Sequence, residues 1–243
     1  MKSNQPVALV TGSAKRLGAA IVRYLHDHHF RVIIHYRHSA TEAKTLCQTG
    51  NTQRAHSAVT LQADLNQAKA CHRLVNQAYH TWQRLDVLIN NASDYFPTPL
   101  GETTEQQWND LINSNLKAPY FLSQAAAVYL QQVHGCIINI SDVNALRPLK
   151  NYPVYCAAKA GLNMLTQALA KELAPDVRVN AVAPGLTTYS QHKTSQDKKK
   201  RTGQTLLKRP ANPEEIAHAV LFLIQNEYIT GQIINVDGGK ILQ

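Results

Sequence analysis

Apolar residues form short runs rich in Val, Ile and Leu, and these runs alternate with longer stretches whose apolar positions recur at helical spacing. The run Cys136 to Ile140 is almost continuously apolar, which is typical of a strand covered by helices on both faces. We therefore predict an α/β fold built on a doubly wound parallel sheet. The predicted strands are Val7 to Val10, Arg31 to Tyr36, Ala58 to Ala63, Val87 to Asn90, Cys136 to Ile140, Val177 to Ala183 and Gln232 to Val236.

No composition break, long linker or internal repeat divides the 243 residues, so we expect a single domain of Rossmann type over residues 1–243. One stretch, at about residues 187–210, is polar and weakly periodic, and we interpret it as a flexible substrate flap. Its basic run, Lys198 to Arg201, lacks interleaved aromatic residues and is interpreted as solvated surface rather than a nucleic-acid patch.

Composition limits the classes of protein that fit. Hydrophobic residues make up 44% and charged residues 17%, which is typical of a globular protein. The formal net charge of +9 favours an anionic partner, either nucleic acid or a phosphate-bearing cofactor and substrate. The 4 cysteines show no CxxC pair and no metal-ligand spacing, so neither disulfides nor a metal site is expected. Neither a signal-peptide core nor a membrane-spanning run is found, which predicts a cytoplasmic protein without a membrane partner.

A turn of small residues follows the first predicted strand, in Thr11-Gly12-Ser13-Ala14-Lys15-Arg16-Leu17-Gly18. Glycine permits tight turning and close backbone approach, and the free amides at the start of the next helix attract anionic oxygens. A phosphate group is therefore expected at this turn. Its candidate cofactor-binding residues are Gly12, Arg16, Leu17 and Gly18.

The second predicted strand ends in basic and hydroxyl residues. An acidic residue at this place would bind the ribose hydroxyls of NAD, whereas basic residues and a hydroxyl suit the 2′-phosphate of NADP. The sequence therefore favours NADPH as cofactor. The candidate residues are Tyr36, Arg37, His38 and Ser39, with an ordinary surface role left open for Arg37.

Further polar or small residues follow the third and fourth predicted strands. Ligands collect at the carboxyl ends of strands in open α/β sheets, so these residues are candidates for cofactor contact. They are Asp64, Leu65, Asn91, Ala92 and Ser93. Asp64 could instead cap the helix that follows it.

Tyr155 and Lys159 are spaced to share one face of a helix that follows the fifth strand. A phenol with its ordinary pKa is a poor proton donor near neutrality, and a nearby ammonium lowers that pKa by stabilising the phenolate. We therefore expect the pair to form the centre of the chemistry.

Together these motifs resemble the short-chain dehydrogenase/reductase family over nearly the whole chain. The matching pieces are Thr11-Gly12 with Gly18, Asn90-Asn91-Ala92, Asn115, Tyr155 with Lys159, Pro184-Gly185 and Asp237-Gly238-Gly239. The resemblance implies that Tyr155 protonates the substrate, that Lys159 binds the nicotinamide ribose and that Asn115 holds a proton-relay water. It also implies cofactor contacts from Pro184 and Gly185 and assembly as a homotetramer.

The chain departs from that family at one catalytic position. Most members carry a serine thirteen positions before the tyrosine, and here Asp142 occupies that place, with Ser141 one position earlier. A carboxyl group can deliver a proton to a ring nitrogen, which suits a substrate with a C=N bond. The aspartate, the first turn and the segment from Asn90 to Leu100 resemble the pteridine reductases within the family.

This closer resemblance implies a substrate site made of Arg16, Ser93, Tyr95, Asp142, Tyr155 and Leu186. Tyr95 would sandwich a pterin ring against the nicotinamide, although packing in the core is the alternative for this side chain. The implied reaction is hydride transfer from NADPH to a C=N bond of a dihydropterin or dihydrofolate, with Tyr155 or Asp142 supplying the proton. The choice among pterins and folates stays open.

Two other functions are alternatives to pteridine reduction. An NADPH-dependent carbonyl reductase, such as a 3-oxoacyl carrier-protein reductase, would share the family motifs but not Asp142. A dinucleotide-binding sensor without catalysis belongs to a different class, and the presence of Tyr155, Lys159 and Asn115 speaks against it.

Overall fold

A computed structural model of the protein describes residues 5–187 and 202–243. The basic run Lys198 to Arg201, and with it most of the predicted flap at about 187–210, lies outside the described residues.

Within the described residues, seven parallel strands form one sheet, in the order β3-β2-β1-β4-β5-β6-β7. They are β1 Val7–Val10, β2 Arg31–Tyr36, β3 Ala58–Gln62, β4 Val87–Asn90, β5 Cys136–Ile140, β6 Arg178–Pro184 and β7 Ile233–Val236. The predicted fold class is confirmed, and each strand end either coincides with the prediction or differs from it by one residue. For example, β3 ends at Gln62 rather than Ala63, and β6 continues to Pro184.

Helices cover both faces of this sheet. In the part of the chain that the structure describes, they are α1 Arg16–Asp27, α2 Ala40–Gln53, α3 Ala68–Trp82, α4 Glu105–Ile112, α5 Ala118–Leu130, α6 Pro153–Leu173 and α7 Pro213–Gln225. Among residues 5–187 and 202–243, no helix has the length and hydropathy needed to span a bilayer.

Successive residues of β1 point to opposite helical layers, as the two-residue period of a strand requires. On β1, Ala8 and Val10 join the apolar cluster that contains residues of α1, α2 and α7. Val7 and Leu9 join the cluster on the other face, with residues of α3, α5 and α6. Because both faces of the strand are buried, its run of apolar residues is uninterrupted.

The strand order reverses between β1 and β4, which are neighbours in the sheet although two strands separate them in sequence. The connections leaving these two strands run in opposite directions, so a crevice opens at their carboxyl ends. This crevice positions the candidate site.

A π-helical segment, Asn113–Lys117, joins α4 to α5. The start of α4 is fixed by a capping box between Thr104 and Gln107, in which each side chain accepts from the other residue's backbone amide. π-Helical turns inside helices are frequent at functional sites. The segment carries Asn115, whose neighbour Ser114 lines the crevice.

Candidate active site

A cleft of about 460 Å³ lies at the carboxyl edge of the sheet. Its wall brings together most of the residues selected from the sequence: Gly12, Arg16, Leu17, Gly18, Arg37, Leu65, Asn91, Ala92, Ser93, Asp142, Tyr155, Lys159, Pro184 and Gly185. It also contains residues that sequence reasoning did not select: Lys15, His35, Ala63, Asn66, Asp94, Ser114, Ile140, Ser141 and Thr187. Tyr36, His38, Ser39, Asp64, Tyr95, Asn115 and Leu186 lie outside the wall that the described residues form.

The turn after β1 is packed against the end of β4. A Cβ atom on Gly12, whose φ is +59, would lie 2.8 Å from Cα of Ala92, and one on Gly18 would lie 2.6 Å from Nδ2 of Asn91. The Asn91 side chain also donates hydrogen bonds to the carbonyls of Thr11 (2.8 Å) and Gly12 (3.1 Å). The two glycines are therefore required for the close contact between these loops.

Thr11 strengthens the same junction. Its hydroxyl donates to the carbonyl of Ile89 at 3.2 Å and accepts from the backbone amides of Asn91 (2.9 Å) and Ala92 (3.0 Å). Because the side chain is buried, these bonds are shielded from competing water. The loops after β1 and β4 thus form one rigid floor of the cleft.

Basic side chains surround the part of the cleft next to α1 and β2. Arg16 has a φ of 52, in the left-handed region, and begins α1. Lys15 forms an ion pair with Glu42 at 2.6 Å, and Arg37, on the loop after β2, also lines the cleft. The first amides of a helix and several cations attract phosphate oxygens, so this end of the cleft fits the anionic part of a dinucleotide.

Tyr155 and Asp142 meet directly. The Tyr155 hydroxyl donates a hydrogen bond of 2.7 Å to Oδ2 of Asp142, and Oδ1 of the same carboxylate accepts from the backbone amide of Asn144 at 2.8 Å. Asp142 directly precedes the short 3₁₀ turn Val143–Ala145, whose start it caps. Both carboxylate oxygens are therefore held, one by the backbone and one by the phenol.

The environment raises the pKa of Tyr155 well above its ordinary value, first through burial and then through the negative charge and hydrogen bond of Asp142. The expectation that Lys159 lowers the pKa of Tyr155 is wrong for this structure. The reason is geometric, because the ammonium lies 5.8 Å from the centre of the phenol ring while the carboxylate touches the hydroxyl. The phenol keeps its proton across the neutral range.

Lys159 is buried on the same face of α6, as its spacing from Tyr155 predicts. Its ammonium donates to the carbonyl of Ile140 at 2.8 Å. Burial lowers the pKa of Lys159 to about 8, against the opposing effect of Asp142. The amine is therefore still largely charged at neutral pH but close to its titration range.

Asn115 is completely buried, and its neighbour Ser114 reaches the cleft wall. The amide nitrogen of Asn115 donates to the carbonyls of Asp94 (2.9 Å) and Leu111 (3.0 Å). Its carbonyl oxygen, Oδ1, has no hydrogen-bond partner among the residues that the structure describes. A buried amide oxygen in this condition is a ready acceptor, and the proton-relay role of Asn115 stays a prediction.

Tyr95 packs against two other tyrosines, and its expected role in sandwiching a pterin against the nicotinamide stays a prediction. Its ring stacks on Tyr152, with centroids 4.7 Å apart and an interplanar angle of 14°, and meets Tyr155 edge-on at 4.9 Å. One face of the ring is therefore covered by protein rather than available to a ligand. Sequence reasoning missed Tyr152 because the contact joins two loops far apart in the chain.

Asp64 and Leu186 lie outside the cleft wall that the described residues form, and their ligand contacts stay predictions. Asp64 is exposed and accepts from the amide of Asn66 at 3.2 Å, while the cap of α3 is Gln67, so the alternative that Asp64 caps this helix is wrong. Leu186 is buried, and its carbonyl accepts from the amide of Ala211 at 2.7 Å. Leu186 thus ties the end of β6 to the segment that precedes α7.

The chain is similar to known reductases along almost its full length. It is 39% identical to pteridine reductase 1 of Leishmania tarentolae, over 98% of this chain and 96% of that protein. It is 35% identical to an uncharacterized oxidoreductase of Methylorubrum extorquens, over 96% of each chain. It is 33% identical to the 3-oxoacyl-[acyl-carrier-protein] reductase of Staphylococcus aureus, over 97% of this chain and 98% of that protein.

The family described as enoyl-(acyl carrier protein) reductase, one of the short-chain dehydrogenase groups, matches residues 12–240. This range includes the turn after β1, the Tyr155 and Lys159 pair on α6 and the end of the sheet at β7. With its parallel sheet and its reductase relatives, the chain belongs to the short-chain dehydrogenase/reductase family of oxidoreductases.

Proposed function

We propose that the protein is an NADPH-dependent pteridine reductase that reduces a C=N bond of a dihydropterin or dihydrofolate. The observation that carries the proposal is the hydrogen bond of 2.7 Å from the Tyr155 hydroxyl to Oδ2 of Asp142, on the wall of the cleft. A serine at this place would offer a hydroxyl to a carbonyl oxygen. A carboxyl group next to a phenol instead gives the site one donor held by an acceptor, and the carboxylate becomes a second donor to nitrogen once it takes up a proton from solvent.

Nicotinamide dinucleotides are the cofactors of this family, and the cleft fits such a group. The amides that open α1 and the cations of Lys15, Arg16 and Arg37 provide a site for its phosphates. The absence of an acidic residue after β2, where Arg37 stands, supports NADPH over NADH. When bound, the reduced nicotinamide supplies a hydride to the substrate.

The residues of the chain supply the other half of the reaction. Tyr155, with a pKa held high by burial and by Asp142, keeps its proton until the substrate accepts it. Asp142 holds the phenol in place by accepting its hydrogen bond, and the proton that Tyr155 gives up must be replaced from solvent. Lys159 places a buried ammonium behind the tyrosine ring, where it would bind the ribose next to the nicotinamide.

A carbonyl reductase acting on 3-oxoacyl thioesters is the second candidate, since the Staphylococcus aureus relative carries that name. Ser141 is the hydroxyl available for it, one position before Asp142. However, the Ser141 hydroxyl donates to Oδ1 of Asn163 on α6 at 2.5 Å. A hydroxyl bound in this way is not free to orient a substrate carbonyl, which favours the pterin proposal.

Steady-state oxidation of NADPH tests the proposal, with dihydrobiopterin, dihydromonapterin, dihydrofolate and acetoacetyl-coenzyme A compared under one set of conditions. We expect turnover with at least one pterin or folate at a kcat/KM well above that for the thioester. Turnover confined to the thioester would transfer the assignment to the carbonyl reductase. Binding of NADPH without turnover of any of the four substrates would favour the sensor.

A further inference from the structure

His35, at the end of β2, is buried with only 2% of its surface exposed, yet it lines the cleft beside the turn after β1. The reaction described above makes no use of it. A buried imidazole in a cofactor cleft requires partners for both ring nitrogens, since an unpaired polar atom in this position is costly. The hydrogen bonds of His35 identify the loops that it connects.

Three hydrogen bonds connect His35 with the loops on either side. The amide of Gly12 donates to Nδ1 of the imidazole at 2.9 Å, and Nε2 lies 3.2 Å from the carbonyl of Ala63. The backbone takes part as well, because the amide of Ser13 donates to the His35 carbonyl at 2.9 Å. One residue thus links the turn after β1 to the end of β3.

These hydrogen-bond partners determine the protonation state and tautomer of the imidazole ring. A backbone amide can only donate and a carbonyl can only accept, so Nδ1 must be unprotonated and Nε2 must carry the hydrogen. The imidazole is neutral in this arrangement. Burial lowers the pKa of His35 to about 4, which agrees with that requirement.

The turn after β1 is therefore supported from two directions. On the β4 side, Thr11 and Asn91 hold it through the bonds described above. On the β2 side, the support is His35, and the bond to Gly12 fixes the residue at which the turn takes its positive φ. The direction of the first amides of α1 depends on the shape of this turn.

We infer that His35 is a positioning residue for the cofactor, which holds the Gly12-Ser13 turn in the shape that binds the dinucleotide by accepting a hydrogen bond at Nδ1. The inference rests on family membership and on the geometry of the turn, and it does not depend on the identity of the reduced substrate.

Three substitutions separate the two ring nitrogens. In His35→Asn the amide oxygen can take the place of Nδ1 and accept from Gly12, but the side chain is too short to reach Ala63. In His35→Gln the longer side chain can reach Ala63 instead. His35→Leu keeps an apolar side chain of similar bulk and offers no acceptor.

The experiment measures the dissociation constants of NADPH and NADP⁺ by calorimetry for the full-length protein and the three variants. Losing a hydrogen bond that leaves a buried amide unpaired corresponds to about a tenfold weaker binding, so we expect this loss for His35→Leu and His35→Gln. For His35→Asn we expect affinity within about threefold of the unaltered protein, because the acceptor is restored. Circular dichroism checks that each variant is folded.

Wild-type affinity in His35→Leu, or equal losses in His35→Asn and His35→Leu, would overturn the inference. Nitrogen-15 NMR of histidine-labelled unaltered protein reads the tautomer directly, and it remains decisive if His35→Leu does not fold. A proton on Nε2 alone is expected, whereas a proton on Nδ1 near neutral pH would contradict the inference. Because binding and tautomer are measured without a pterin, a failed pterin assay leaves this test unaffected.

Discussion

The Tyr155 hydroxyl and the Asp142 carboxylate form one hydrogen-bonded unit, with Oη and Oδ2 2.7 Å apart. The aspartate follows β5 and the tyrosine lies in the first turn of α6, so the sheet edge and a helix start bring them together. This relationship keeps the phenol protonated rather than ionised, since both burial and the carboxylate raise the pKa of Tyr155. The phenol therefore carries a proton at neutral pH, although its raised pKa makes it a weaker acid than a free tyrosine.

Tyr155→Phe should abolish nearly all turnover while leaving cofactor binding intact. The substitution removes the proton donor and keeps the ring that packs edge-on against Tyr95. General acid catalysis typically contributes about 10²- to 10⁴-fold, so kcat should fall by at least about 10²-fold. Steady-state rates measure the loss of turnover, and NADPH calorimetry measures whether cofactor binding is intact. Activity within tenfold of the unaltered protein would remove Tyr155 from the role of donor.

Asp142→Ser should reduce pterin turnover much more than cofactor affinity. The serine cannot supply the carboxyl group that contacts Oη of Tyr155, but it can still accept from the amide of Asn144 and so keep the local turn. We expect kcat to fall by about 10²-fold and the NADPH dissociation constant to change by less than about threefold. Ser141→Ala serves as the matched control, because that hydroxyl is bound to Asn163. A pterin rate unchanged by Asp142→Ser would mean that the aspartate is structural.

Arg37→Asp should shift preference from NADPH toward NADH. An acidic side chain after β2 would repel a 2′-phosphate and accept from the ribose hydroxyls of NAD. The ratio of kcat/KM for NADPH to that for NADH should drop by about tenfold or more, as expected for loss of a charge-assisted contact. An unchanged ratio would move recognition of the phosphate to Lys15 and Arg16, which line the same end of the cleft.

Much of the fold can be predicted from the sequence because the strands are continuous apolar runs bounded by polar residues. The run Cys136–Ile140 coincides with β5, for instance. The exact ends of the strands are harder to predict. The end of β6 at Pro184 depends on pairing with β7, which joins Ala181 to Ile233 and Pro184 to Val236. Such pairing is a long-range contact that local pattern does not encode.

The candidate site divides in a similar way. Motifs with local spacing, such as Tyr155 with Lys159, can be placed from sequence because helical geometry fixes the relation between their side chains. The role of His35 could not be predicted, since it follows from a hydrogen bond to Gly12 across 23 positions of sequence. The pKa of Tyr155 was predicted in the wrong direction because the spacing to Lys159 gave no information on burial or on the distance to Asp142.

Lys159 should set the alkaline limit of cofactor use. Burial lowers its pKa to about 8, so the ammonium of the cofactor-free protein loses its charge as pH rises through that value. The pH dependence of kcat/KM reports groups of the free enzyme. We therefore expect kcat/KM for NADPH to decline above about pH 8. Tyr155, whose pKa is raised, should not produce that decline.

The same titration should act on stability in the opposite direction. Between about 8 and the ordinary lysine value of 10.5, the unfolded chain binds the proton that folded Lys159 has lost, so the free energy of unfolding contributed by this group rises with pH. Lys159→Met removes that contribution, and the difference between the two proteins in denaturant unfolding cancels the other groups that titrate there. We expect the unaltered protein to gain stability relative to Lys159→Met across this window. A constant difference, together with a flat kcat/KM profile above pH 8, would show that Lys159 keeps an ordinary pKa in the folded protein.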